Sequence, residues 1–231
     1  VRIIINKKVL VIAAHHDDEV YGMGGTIAKL GSESNEIHTL ILTDGCTSQY
    51  RNNPKLGEII KCKQREALKA NLLLGVKQVH FGNLPDMKLD TLAHIAINEV
   101  IEDAINTIRP DIVYTHFYGD VNLDHQMVYQ STLVATRPMP DQCVKELYCY
   151  SVPSSTEWTP NLPNTTFFAN VFCDISDYVD LKIKAIEAYQ TEIRPYPHPR
   201  SVEYMKQLNL GIGLKNGTGF SEEFMLLRKL I

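Results

Sequence analysis

The sequence predicts a single α/β domain, Rossmann-like and three-layered, with a mostly parallel sheet and a small C-terminal extension. Three observations carry this expectation. Short apolar runs such as VLVIAA (9–14) and IHTLILT (37–43) read as strands buried on both faces. Such runs alternate with segments of helical period from 9 to 136, the pattern of right-handed βαβ units. At 231 residues and 44% hydrophobic composition, the chain can bury one sizeable core. The domain is expected to span 1–231, with a core over 1–150 and the extension over 151–231.

The elements follow in order. After VLVIAA, GMGGTIAKLGS (22–32) reads as a turn entering a helix that Gly31 closes. IHTLILT is followed by Asp44–Gly45 and a polar loop carrying Arg51, Asn52, Asn53 and Pro54. Residues 56–74 read as a helix with Ile59, Ile60, Ala67 and Leu68 on one face and Gly75 at its end. VHF (79–81) is a short third strand, and 91–108 a helix with Leu92, Ile95, Ile101, Ala104, Ile105 and Ile108 near helical spacing. Pro110 ends it, and DIVYTHF (111–117) is the fourth strand. A loop becoming a helix before Pro138, a fifth strand at 146–152 and another at 166–175 come next. Ser176 is placed to cap a helix whose Val179, Ile183, Ile186 and Tyr189 share a face. The tail, with PYPHPRS and the Gly-rich stretch 211–219, reads as mostly irregular, ending in a short helix from about 221.

Composition narrows the function classes. The net charge is −4, the 22% charged residues mix both signs, and there is no Lys/Arg block, which argues against a nucleic-acid or anionic-membrane surface. No apolar run approaches the roughly 20 residues of a membrane span. VRIIINKKVLVIAAHHDDE lacks a signal-peptide pattern, so a cytoplasmic location is expected. Five cysteines, an odd number without a CxxC pair, fit a reduced protein better than a disulfide scaffold.

Two strand ends carry the chemistry. Ligands of doubly wound sheets sit at the carboxyl ends of strands near the topological switch point, where the first and fourth strands commonly adjoin. Those ends read HHDDE (15–19) and GDVNLDH (119–125). A catalytic zinc takes three protein ligands, from imidazole nitrogen and carboxylate oxygen, and leaves a position open. His15 and Asp18, separated by two residues on a tight turn, and His125 at the next helix suit that set. Asp17 then remains as a carboxylate beside the metal, where a general base belongs. Each motif alone also fits a blander role, HHDD as a solvated loop and DH as a helix cap; their adjacency favours a site.

These residues carry a resemblance. AHHDDE with GMGGTIAK behind it, and NLDH after the fourth strand, resemble the PIG-L/LmbE-like zinc N-deacetylase family. Its first motif is A-H-P-D-D-E, and its second ends in an acidic or amide residue followed by His. The likeness extends through TDG after the second strand, LG before the third, PD–LD at 85–90 and RPDIVYTH. VPSSTEW, PYPHPRS and the final EEFMLLRKLI are similar to a bacterial branch linked with surface-polysaccharide precursors. The resemblance implies a Zn2+-dependent hydrolase that removes the acetyl group from an N-acetylated amino sugar or its conjugate. It makes His15, Asp18 and His125 the zinc ligands and Asp17 the base, with Asp124 orienting His125 or that base. It implies Asp86 as a carboxylate for sugar hydroxyls and Arg65 or Arg51 as a substrate-binding arginine. It further implies assembly into homo-oligomers whose tails serve neighbouring pockets.

Two positions depart from the family pattern. His16 stands where the family has proline and is expected to point away from the metal. Asn122 stands where many members have a histidine that stabilises the oxyanion; an amide donates a hydrogen bond but cannot deliver a proton. His198 in PYPHPRS is the candidate second group, whereas His116, on a strand, is expected to serve packing. Two alternatives stay open. One is another zinc amide hydrolase acting on a glycoside conjugate. The other is a nucleotide-binding module, although GMGG begins only at the eighth residue after the strand, too late for a dinucleotide fingerprint.

Overall fold

The computed structural model describes residues 5–231; the first four residues, part of the stretch without a signal-peptide pattern, lie outside the described residues. Strand β1 (Lys8–Ala13) is flanked by β2 (Glu36–Thr43) and β4 (Ile112–His116), both parallel to it. β3 (Gln78–Leu84) continues the sheet beyond β2, and β5 (Glu146–Tyr150) beyond β4, again in parallel. β7 (Ser221–Lys229) then pairs antiparallel with both β5 and β6 (Val171–Asp174). The seven-stranded order is β3-β2-β1-β4-β5-β7-β6. The chain grows in one direction from β1 to β3 and in the other from β4 onward, so the switch point falls between β1 and β4, as expected.

Alternation along β1 makes the three layers. Val9, Val11 and Ala13 face a core with α1 (Asp18–Ser32), α2 (Leu56–Leu73) and α5 (Val179–Ala188). Leu10 and Ile12 face the opposite core with α3 (His94–Ile108) and α4 (Leu123–Ala135). A strand buried on both faces has no polar side to show, which is why VLVIAA is uninterrupted. Among the described residues no helix is long and apolar enough to cross a membrane, and the five cysteines are unpaired.

The structure corrects several expectations, chiefly in the extension. Residues 221–229 form β7, not a helix; EEFMLLRKL has helical propensity, but the free edges of β5 and β6 offer two ladders, and tertiary pairing overrides propensity. The stretch expected to be irregular contains α6 (Val202–Lys215), whose N-cap Ser201 accepts from the Tyr204 N–H at 3.2 Å. The strand expected at 166–175 is confined to Val171–Asp174. Ser176 does not cap α5, since the N-cap is Tyr178; it accepts from the Phe220 N–H at 3.0 Å and so ties β6 to the turn before β7. Leu68 and Ile95, expected on buried faces, are 47% and 58% exposed.

Helix α1 starts four residues earlier than expected, at Asp18, and is kinked where Met23 leaves helical geometry (φ −149°, ψ 24°). The kink frees backbone groups, and the extension satisfies them. Glu222 of β7 accepts from the Gly25 and Thr26 N–H groups at 3.0 and 2.7 Å. Lys182 of α5 donates to the Tyr21 carbonyl at 2.9 Å and pairs with Glu222 at 2.6 Å. A Cβ at Gly25 would lie 2.6 Å from the Ile175 side chain, so glycine there permits close packing of the helix. Glu222→Ala strands a buried ammonium and two amides; it is expected to cost about 3–5 kcal/mol by urea unfolding. Pairing Glu222→Leu with Lys182→Met is expected to recover part of that loss.

Candidate active site

The first strand end turns sharply. Asp17 has φ 109°, in the left-handed region, and its carbonyl accepts from the Val20 and Tyr21 N–H groups at 3.0 Å each. Side chains further along hold the turn. Asp18 Oδ2 accepts from the His15 N–H at 2.8 Å, and Glu19 Oε2 from the Asp17 N–H at 3.3 Å. Glu19 is itself fixed by the Asn71 amide at 2.7 Å and the Tyr189 hydroxyl. Burial pushes the Glu19 carboxyl up to about 7, against those hydrogen bonds.

The second strand end lies across the switch point. Asn122 caps α4, its Oδ1 accepting from the Asp124 N–H at 2.9 Å, and this presents Asp124 and His125 from the first turn. His15 Nδ1 and His125 Nε2 lie 3.2 Å apart, and Asp18 Oδ2 is 3.4 Å from each. One ligand atom from each of His15, Asp18 and His125 lies within 4.8 Å of the others.

Each histidine is gripped on its other nitrogen by a carboxylate. Asp120 Oδ2 is 3.0 Å from His125 Nδ1 and accepts from the Thr156 hydroxyl at 2.7 Å, while Ser155 donates to Oδ1. Asp124 Oδ2 is 3.1 Å from His15 Nε2; Asp124 also accepts from the Met87 and Leu89 N–H groups at 2.7 and 3.0 Å. Asp124 therefore orients His15, whereas the sequence suggested His125 or the base. The residue on His125 is Asp120, which sequence reasoning missed although it stands in the quoted GDVNLDH. Such carboxylate–histidine pairs fix tautomer and ring orientation in metal sites. His116 is fully buried, accepts from the Ala14 N–H through Nε2 at 2.8 Å and stacks 3.9 Å from the His125 ring. Burial, helped by His125, lowers it to about 4, so it supports the cluster as a neutral ring.

The residues fit a metal. Asp18 Oδ1 is buried without a hydrogen-bond partner, an orphaned carboxylate oxygen on a residue of the cluster. Burial disfavours a charged Asp18, yet the His125 charge beside it holds it well below the ordinary carboxylate range. Two imidazoles and a carboxylate are the donor set of an open zinc site. A second grouping of His15, Asp86 and Asp124 is equally tight, but both Asp124 oxygens already accept backbone N–H groups. Asp17 stands outside both sets. Burial raises its carboxyl well above the usual range, and Arg200, 3.2 Å away, works in the opposite direction.

The cluster opens into a cavity of about 480 Å³, lined by His15, His16, Asp17, Asp86 and Asn122 among others. Asp86 is 3.5 Å from His15 Nε2, and burial raises its carboxyl. Asn122 reaches the wall while its oxygen caps α4. His16 belongs to neither ligand grouping; its ring stacks 5.7 Å from Phe81, beside Gly45, where a Cβ would lie 2.6 Å from Nδ1. The structure does not bring Arg51, Arg65 or His198 to this wall. Arg65 is exposed beside Glu58 and Lys61, on a separate depression. The row of α2 that turns inward is Lys63, Ala67 and Ala70, and Arg65 lies about 200° around the helix from Lys63. His198 Nδ1 accepts from the Arg200 N–H at 3.0 Å and its ring meets Trp158 edge-on; the PYPHPRS segment delivers Arg200 to the cavity instead.

Known proteins resemble this chain in sequence and in fold. The sequence model of PIG-L, GlcNAc-PI de-N-acetylase, matches residues 10–136. An uncharacterized deacetylase of Escherichia coli K12, YaiS, is 31% identical over 195 residues, covering 80% of this chain and 91% of that protein. The diacetylchitobiose deacetylase of Thermococcus kodakarensis is 25% identical over 221 residues, covering 94% and 81%. The structure of N,N'-diacetylchitobiose deacetylase from Pyrococcus horikoshii superposes with a TM-score of 0.76 at 23% identity, covering 96% of this chain and 84% of that one. With the family match spanning both strand ends of the cluster, the chain belongs to the PIG-L family.

Proposed function

We propose that the protein is a zinc-dependent deacetylase that removes the acetyl group from an N-acetylated amino sugar or a conjugate of one. One observation carries the reading: His15, Asp18 and His125 converge beside a buried carboxylate, Asp17, that is free of the ligand set and faces a cavity. The names of the relatives supply the substrate class, since a deacetylase of diacetylchitobiose is among them. Bound at this triad, zinc would act as a Lewis acid on the acetamide carbonyl and raise the acidity of water.

The chain's own residues do the rest. Asp17 takes a proton from the attacking water as its oxygen bonds to the carbonyl carbon, and returns it to the nitrogen as the C–N bond breaks. A carboxyl raised by burial is suited to holding a proton between those two steps. Asn122, on the wall, donates its amide hydrogens toward the carbonyl oxygen. Asp86 accepts from sugar hydroxyls. Asp120 and Asp124 keep His125 and His15 in orientation.

The test is metal content and acetate release from a panel of N-acetylated hexosamines, oligosaccharides and glycoside conjugates. About one zinc per chain with acetate from at least one sugar is the expected result. Folded, zinc-supplied protein that releases no acetate from any of them would overturn the reading. Asp120→Asn leaves the three ligands in place but loosens His125; a roughly 10–100-fold loss of zinc affinity is expected by competition with a chelating dye.

A further inference from the structure

The cavity's charges are arranged in an unusual way for a site that must hold a soluble sugar derivative. Histidines apart, the charged side chains on its wall are Asp17, Asp86, Glu192, Lys63 and Arg200. Both cations are already committed. Lys63 donates to the Gly45 carbonyl at 2.8 Å and to Glu192 Oε1 at 2.5 Å. Arg200 donates to Glu192 Oε2 at 3.0 Å and to Ser154 at 2.9 Å, and lies 3.2 Å from Asp17. Glu192 is buried and bridges the two, one oxygen to each. The remaining wall is made of neutral hydrogen-bonding groups, Ser48, Gln49 and Asn122, with Met87 as an apolar surface.

We propose, resting on the deacetylase reading above, that Glu192 sets the charge preference of the site: by pairing with Lys63 and Arg200 it leaves no cation free for a phosphate or carboxylate, so the cavity takes an uncharged N-acetylated glycoside. An anionic substrate would have to break one of these pairs or sit beside Asp17 and Asp86, and either costs affinity. Hydroxyls meet no such penalty, because carboxylates accept from them and the wall amides donate to them. Part of this recognition lies in the C-terminal extension, since Glu192 and Arg200 both follow α5.

The test compares the methyl glycoside of N-acetylglucosamine with N-acetylglucosamine 6-phosphate as substrates of the zinc-loaded protein. The parent is expected to favour the uncharged compound by at least about tenfold in kcat/KM, mainly through KM. Glu192→Gln removes the carboxylate charge shared by Lys63 and Arg200 and is expected to narrow or reverse that preference about tenfold, an effect that added salt diminishes. Glu192→Asp keeps the charge and is expected to keep the preference. A parent that favours the phosphate, or a Glu192→Gln variant that is folded by its melting curve and keeps the parent's preference, overturns the inference and leaves deacetylation standing. No acetate from either compound or from the wider panel brings down the deacetylase reading and this inference with it.

Discussion

Replacing Asp17 by asparagine is expected to lower kcat for acetate release by about 10²–10⁴-fold while leaving zinc content and KM close to the parent's. The magnitude follows from what is removed: a positioned base whose carboxyl is buried, faces Arg200 through Oδ2 at 3.2 Å and lines the same cavity as His15. Zinc should stay because Asp17 belongs to neither ligand grouping. The fold should stay because asparagine tolerates the left-handed conformation that residue 17 adopts, and its N–H can still donate to Glu19. Arg200 keeps Glu192 and Ser154 as partners. A rate loss without metal loss separates proton transfer from metal binding, which an alanine at a ligand position cannot do. Full activity in a zinc-bound Asp17→Asn protein would show that another group accepts the proton.

Much of this centre is legible in the sequence because its parts sit at strand ends. VLVIAA announces a strand buried on both faces, and a doubly wound sheet then directs HHDDE and GDVNLDH to one place. The cavity wall is less legible because it depends on helical phase and on distant segments. Lys63 and Arg65 are two residues apart, and only the packed helix decides which turns inward. Arg200 and Glu192 reach the site through the irregular path between α5 and α6, where no periodicity constrains direction. Asp120 was hidden differently: a loop aspartate two residues before a cap reads as a turn former until His125 is seen against it. β7 was obscured because its partners lie about 50 and 75 residues away, a separation over which local pattern carries no information.

His125→Ala is expected to abolish measurable zinc binding and to reduce acetate release by more than about 10³-fold. His125 is fixed from both sides, by Asp120 at 3.0 Å and by the His116 ring at 3.9 Å, so its removal leaves a gap that neighbouring side chains cannot fill with a nitrogen. Stability gives a readout independent of turnover. Metal that binds only the folded chain stabilises it by roughly 4 kcal/mol at a thousand times its dissociation constant. The parent's melting temperature should therefore climb with added zinc, and the variant's should not. Protons compete for the same site. Burial disfavours a charged His125, but Asp18 and Asp120 outweigh it and raise the ring to about 9. A histidine raised in the fold stabilises the metal-free protein below its unfolded value of about 6.5, and that contribution fades as pH rises through 9. Zinc must displace this proton, so the zinc-induced rise in melting temperature should grow with pH between about 6 and 9 in the parent. A zinc response that is equal in parent and His125→Ala would place the metal elsewhere, and with it the chemistry assigned to Asp17.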